Sequence, residues 1–277
     1  MIRSAVTVSL VPEARGGPFV FWEDLPGACK AAKALGFDGI EVFPPGPDAV
    51  DSSVLRQLLQ DNGLGLAAVG TGAGWVKHKL TLTSADPAVR KAARDFVRSM
   101  IDFAGSLGAP AIIGSMQGRH GEGVAPETAL EFLSEGLDEL GAHAAQYNVP
   151  LLYEPLNRFE TNLINRVTDG LELLATLGSE NVLLLADLFH MNIEEQDIAG
   201  AIRDGGLAIG HIHFVDSNRR AAGNGHIDFG PIARALSEIG YEGYLSAEAM
   251  ADGNPERAAS DTIHAFRHFF PSDIDRR

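Results

Sequence analysis

Four residues in the second half of the chain hold most of its chemistry: Glu154, Asp187, His213 and Glu248. Each ends a short apolar run, and intervals of 33, 26 and 35 residues separate them. A carboxylate at the end of a buried strand, with a loop behind it, is presented to a cleft. Any one of the four also reads as half of a buried ion pair or as a hydrogen-bonded histidine. As a set they say more. Three converging carboxylates repel one another unless a cation holds them, and no basic residue stands at the end of the runs carrying Glu154, Asp187 or Glu248. Three oxygen donors with one imidazole suit Mn²⁺, Mg²⁺ or Co²⁺; zinc can be held but prefers more nitrogen or sulfur.

Other polar groups follow close behind. Glu160 comes six residues after Glu154, His190 three after Asp187, and Arg219 six after His213. A sugar or a keto-acid needs such donors and acceptors around its hydroxyls. Arg219 lies in the polar stretch SNRR and also reads as a solvated loop residue, and His190 as a packing group at a helix start. His211 shares strand parity with His213 and is expected inside, hydrogen-bonded rather than a ligand. Glu41, in GIEVF, is expected at the same rim as a carboxylate supporting the ligands.

Something must bring these groups together. Apolar runs at 5–10, 39–43, 64–69, 111–115, 149–154, 182–187, 208–213 and 243–248 read as strands. Helical patterns alternate with them, with Asp86-Pro87 a cap followed by a first-turn proline and Gly36 a stop. Strand and helix in strict alternation demand a parallel sheet with helical crossovers. Eight such units over 277 residues favour a closed (β/α)₈ TIM barrel, class α/β, over an open sheet. The expected barrel domain spans 1–270, with a polar tail at 271–277. In such barrels chemistry sits at the C-terminal strand ends, where the four residues stand. The G-x-G-x-G loop at 70–78 lacks the form of a phosphate cradle and is expected to be a loop, a cover whose Trp75 walls a sugar ring, with Lys77 and His78 beside it.

Composition narrows the partners. A formal net charge of −15 repels phosphate backbones, so nucleic acid is not expected. The single cysteine, Cys29, excludes an intrachain disulfide and reads as a buried, inert thiol. The first apolar stretch is too short to span a membrane, and no cleavage site follows it. No membrane partner is therefore expected, and a cytoplasmic location is.

At these residues the chain resembles the xylose-isomerase-like barrel superfamily, and within it the D-tagatose and D-psicose (allulose) 3-epimerase group. The matching motifs are EPLNRFE from Glu154, DLFHMNIEE from Asp187, GHIHFVDSNRR from Gly210, GHIDF from Gly225, and Ala247-Glu248. They cover residues 149–249; the first half matches only in barrel character. The resemblance implies that Glu154, Asp187, His213 and Glu248 bind one divalent metal ion. It implies that Glu160, His190 and Arg219 hold the substrate near its first carbons, and that Glu154 and Glu248 also transfer protons. The implied activity is a metal-dependent ketose 3-epimerase working through a metal-stabilised cis-enediolate, in a homo-oligomer of two or four subunits. An aldose–ketose or hydroxypyruvate-type isomerase, or an enzyme acting on a keto-sugar or sugar phosphate, shares this machinery. A non-catalytic sugar-binding barrel is a more distant alternative. The AP endonuclease branch needs further histidines and a basic face that this chain lacks. Arg119 and His120, in SMQGRHGEG, have no counterpart in the epimerase pattern and border the cleft.

Overall fold

The computed structural model describes residues 1–271. The expected tail beyond Pro271 lies outside the described residues. Nine parallel strands are ordered β2-β1-β3-β4-β5-β6-β7-β8-β9, and pairing of β1 with β9 closes the ring. The short β2 (Phe21–Trp22) rides on the end of β1 (Arg3–Ser9), so the barrel proper has eight strands. The other seven are β3 (Gly39–Phe43), β4 (Gly65–Gly70), β5 (Ala111–Ile113), β6 (Leu151–Tyr153), β7 (Val182–Asp187), β8 (Ile209–His213) and β9 (Tyr244–Ala247). This is the closed α/β barrel that the alternation of elements requires.

Helices cover the outside, and their ends follow from local chemistry. Asp24 accepts a hydrogen bond from the Gly27 amide to start α1 (Leu25–Leu35), and Gly36, at φ 83°, ends it. Asp51 and Gly63 do the same for α2 (Ser52–Asn62). The short α3 (Ala73–His78) replaces the loop expected at 70–78. Glycine disfavours helix by about 1 kcal/mol, but here packing outweighs that cost. A Cβ at Gly74 would collide with the Met116 side chain, so glycine lets the turn lie against the barrel. Asp86 caps the long α4 (Pro87–Ser106), which buries Val97, Met100, Ile101 and Ala104 against the sheet. Burying a side chain such as Val97, Met100 or Ile101 stabilises by roughly 1.5–3 kcal/mol each. Then follow α5 (Pro126–Ala144), α6 (Val167–Thr176), α7 (Leu188–Glu194), α8 (Ile198–Gly205), α9 (Phe229–Glu238) and α10 (Pro255–Phe269). Cys29 is fully buried on α1, and burial pushes its thiol up to about 11, in keeping with an inert packing role. Among the described residues no helix is long and apolar enough to cross a membrane.

Strand parity sets what the barrel interior holds. Ala68, Ile112, Leu152 and Leu185, from four consecutive strands, form a small cluster separate from the helix-packed core. Register pairs Ile112 with Leu152 and Leu185 with His211. Side chains two residues further on share this inward face. Glu154 therefore follows Leu152, Asp187 follows Leu185, and His213 follows His211. Across the next pairing His213 lies opposite Ser246, and Glu248 follows Ser246.

Candidate active site

The four strand-end residues converge. One ligand atom from each of Glu154, Asp187, His213 and Glu248 lies within 4.8 Å of all the others. All four residues are buried. His213 Nδ1 sits at the centre, 3.1 Å from Asp187 Oδ2 and 3.5 Å from both Glu154 Oε1 and Glu248 Oε2.

Each ligand is aimed by a separate device. Asp187 both ends β7 and caps α7: its Oδ1 accepts from the amides of Phe189 (2.7 Å) and His190 (3.2 Å), which leaves Oδ2 facing the ring. His213 is held from behind, with Nε2 3.1 Å from Glu41 Oε1. The other Glu41 oxygen lies 2.7 Å from His211 Nε2. Glu41 thus lies beneath the ring, fully buried between two imidazoles, and not at the rim where its place in GIEVF put it. His211 is the interior hydrogen-bonded residue that parity predicts. Glu154 is fixed through its backbone. Gln117 Nε2 donates to the carbonyls of Glu154 and Gly114, both at 3.0 Å, and Tyr153 Oη donates to Gln117 Oε1 at 2.7 Å. Gly114 leaves room for Glu154 Oε2, which a methyl group there would meet.

Arg219 supplies the basic partner that no strand end offers. It reaches in from the loop after β8, pairs with Glu248, and lies 3.6 Å from Asp187 Oδ2 and 3.7 Å from Glu160 Oε1. Its guanidinium sits over the Phe189 ring, 4.7 Å from the centroid. The solvated-loop reading of Arg219 is thereby replaced, since the side chain is largely buried. Its backbone is left-handed, at φ 58°, and Asp216 holds the loop in that shape. The Asp216 carboxylate accepts from the amides of Ser217 (2.7 Å), Gly223 (2.9 Å) and Ile227 (3.1 Å). His190 is buried, with Nδ1 2.7 Å from Asn157 Nδ2, and Asn157 Nδ2 also donates to Glu160 Oε1 at 3.1 Å. Asn157 Oδ1 accepts from the Phe159 amide, which fixes the orientation of its side chain. Both ring nitrogens of His190 therefore face donors, Nδ1 the Asn157 amide group and Nε2 Arg219 Nη1 at 3.3 Å.

The electrostatics follow from crowding in a dry barrel mouth. Burial pushes Glu248 up to about 8, with Glu154 and Asp187 adding to it against the pull of His213 and Arg219. Burial also raises Glu154. Burial opposes ionisation of Asp187, but His190, Arg219 and His213 outweigh it and hold that carboxyl well below its usual range. At His213 burial disfavours the imidazolium, yet Glu248 and Glu41 raise it well above the ordinary histidine value. Burial lowers His190 to about 3, with Arg219 and His213 adding to it against Asp187, so this imidazole is neutral. Left to themselves, the ring residues take up protons to limit their repulsion. A divalent cation would supply that compensating charge instead. The residues fit one: the donor set is three carboxylates and an imidazole, and Glu154 Oε1 is buried with no hydrogen-bond partner.

A cavity of about 370 Å³ lies over the ring, and Glu154, Glu160, His190, Arg219 and Glu248 all line it. Phe19, Phe43 and Trp75 form an apolar wall. Every substrate-binding residue expected from the sequence therefore reaches one cleft. Lys77 does not; it lies 3.7 Å from Glu13. His78 does not line this cavity either. Gln117, Asn157 and Asp216 were missed as supporting residues. Asn157 and Asp216 stand inside the quoted motifs, while Gln117 carries no signal beyond being polar after a strand.

The chain matches the family model described as xylose isomerase-like TIM barrel over residues 29–269. The chain belongs to this family. It is 34% identical over 246 residues to L-ribulose 3-epimerase of Mesorhizobium japonicum, covering 87% of this chain and 81% of that one. To D-psicose 3-epimerase of Agrobacterium fabrum it is 33% identical over 237 residues, covering 79% and 76%. A solved structure of L-ribulose 3-epimerase superposes with a TM-score of 0.81 at 27% identity, covering all of this chain and 96% of the other. These relatives are ketose 3-epimerases.

Proposed function

We propose that the chain is a divalent-metal-dependent ketose 3-epimerase, with Glu154 and Glu248 as its proton-transfer pair. The observation that carries this reading is that two carboxylates from β6 and β9, separated around the barrel by β7 and β8, reach one ring and line one cavity. Epimerising a carbon beside a ketone removes its proton on one face and returns a proton on the other, so two carboxylates are needed. Glu154, Asp187, His213 and Glu248 would hold Mn²⁺, Mg²⁺ or Co²⁺. Such an ion would polarise the ketone and offset the negative charge that develops as the neighbouring proton leaves.

The remaining work falls to this chain's own side chains. In one direction an ionised glutamate takes the proton from carbon three. The other, holding a proton drawn from solvent, then gives it to the opposite face, and exchange with solvent restores the pair. The reverse reaction exchanges the roles. Arg219, bonded to Glu248, keeps that carboxyl oriented. Neutral His190 and Glu160 line the cavity beside the ring and serve the hydroxyls near the ketone. The apolar wall of Phe19, Phe43 and Trp75 excludes water from the reacting carbons.

Glu154→Gln and Glu248→Gln test the assignment. Each variant is expected to lower kcat by at least a thousandfold, consistent with the 10²–10⁴-fold typical of one general acid or base plus some loss of ring charge. Near-normal turnover of a ketose by either variant would remove that residue from the proton path. Deuterium at carbons one or two, with none at carbon three, would point instead to an aldose–ketose isomerase.

A further inference from the structure

The cleft does not end at the cavity over the ring. A second cavity of about 580 Å³ opens beside it, and Trp75, Ser115, Leu156 and Glu160 border both. Pockets of about 300 Å³ upward already house small ligands. A single free ketose held at the ring would leave the second chamber to solvent.

The two linings differ in chemistry. The first wall is aromatic, whereas the second chamber presents the hydroxyl-bearing Thr81, Thr83 and Ser84 together with Lys79, Arg119 and His120. Among the described residues neither Lys79 nor Arg119 makes an ion pair, in a protein of net charge −15. The Lys79 ammonium lies over the Trp75 ring, 4.8 Å from its centroid. Arg119 reaches only the backbone carbonyls of Phe159 and Glu160, each at 3.4 Å. Two carboxylates share the lining, Glu122 and Glu160, and Glu160 is turned toward Arg219 and Asn157.

The loop bearing Arg119 and His120 is also built into the substrate side of the barrel. The His120 amide donates to Asn162 Oδ1 at 2.9 Å, and Thr161 Oγ1 donates to the Gly118 carbonyl at 2.8 Å. Thr83 Oγ1 donates to the Gln117 carbonyl at 3.0 Å. The second chamber is thus tied to the loop that carries Glu160.

We propose that this chamber is a subsite for an anionic group, phosphate or carboxylate, at the end of the ketose remote from its carbonyl. The proposal rests on the ketose-epimerase reading and deepens it. With the ketone end at the ring, the chain of the sugar leaves between Trp75 and Glu160 and delivers its far end to Lys79 and Arg119. Arginine offers a fork of donors to such a group, and lysine a point charge.

The test compares kcat/KM, with Mn²⁺ supplied, for a free ketose, its terminal phosphate ester, its terminal carboxylate and its neutral terminal O-methyl ether. Calorimetry on the same ligands gives the binding preference without turnover. The expected result is a tenfold or greater preference for an anionic form, with the two anions distinguishing phosphate from carboxylate. Lys79→Ala and Arg119→Ala, both at exposed positions, are each expected to cut that preference about tenfold. Equal or poorer use of both anions beside good epimerisation of the free ketose would overturn the subsite and leave the epimerase reading standing. A preference for the neutral terminal ether, or an anion preference unchanged in both variants, would overturn the assignment as well. If no form is epimerised, the epimerase reading fails, and the calorimetric preference alone decides the subsite.

Discussion

Replacing Glu41 with Gln should weaken metal binding without touching a ligand. Glu41 is fully buried and serves two imidazoles at once, His213 Nε2 at 3.1 Å and His211 Nε2 at 2.7 Å. Burial works against its ionisation, but His213 and His211 outweigh it and hold the carboxyl well below its usual range. The carboxylate accepts from both rings, which keeps a proton on His213 Nε2, so that Nδ1 is the nitrogen that would give up its proton and offer a lone pair to a metal. Glutamine has one acceptor and one donor in that place, so its NH₂ must confront one of the two N–H groups. If it confronts His213, the tautomer that binds metal is lost. If it confronts His211, a buried donor goes unpaired at a cost of about 1–3 kcal/mol. Loss of such a supporting partner typically costs about 10–100-fold in metal affinity, or about 1.4–2.8 kcal/mol. The assay is calorimetric titration of Mn²⁺ into chelator-stripped protein, after circular dichroism has established that the variant is folded. Affinity within twofold of the parent in a folded variant would refute this reasoning.

Two further perturbations test the supports of the site. Gly114→Ala places a methyl group against Glu154 Oε2, so Mn²⁺ affinity and kcat/KM should each fall at least tenfold, while thermal unfolding registers only the roughly 1–3 kcal/mol of overpacking; full activity would mean that Glu154 does not need that position. Asp216→Asn removes the charge that gathers the loop amides under Arg219, and stability should fall by about 1.5–3 kcal/mol near neutral pH with a rise in KM. Burial raises the Asp216 carboxyl, but the amides of Ile227, Ser217, Gly225 and Gly223 outweigh it and hold it below its ordinary value. A depressed folded-state value stabilises above the unfolded aspartate value of about 3.9 and is lost as pH falls through the folded one. The stability gap between parent and variant should therefore be constant from neutral pH down to about 5 and shrink in stronger acid. A gap that widens in acid would contradict the assignment.

Much of the site was legible because a (β/α)₈ barrel turns sequence spacing into geometry. One strand end per unit puts Glu154, Asp187, His213 and Glu248 on neighbouring strands, and period-two alternation turns each inward. The same alternation placed His211 correctly. Legibility ended where contacts come from loops or from across the barrel. Arg219 pairs with Glu248 because Asp216 folds a loop back, and no local pattern states how far that loop reaches. Glu41 belongs to the third strand in the chain, yet its partners lie on the eighth, so its depth beneath the ring required the closed barrel. The helix at Ala73–His78 escaped because its glycines argue against helix locally, while the packing of Gly74 on Met116 is tertiary. Gln117 bridges Gly114, Tyr153 and Glu154 from a 3₁₀ turn whose sequence reads as an ordinary polar loop.

Proton exchange at carbon three is the most direct test of the central claim. A ketose is incubated with the Mn²⁺-supplied protein in D₂O and followed by NMR. Deuterium is expected at carbon three in step with appearance of the 3-epimer, with loss of both in Glu154→Gln and Glu248→Gln. Absence of exchange into any ketose, free or phosphorylated, by metal-loaded protein would contradict it.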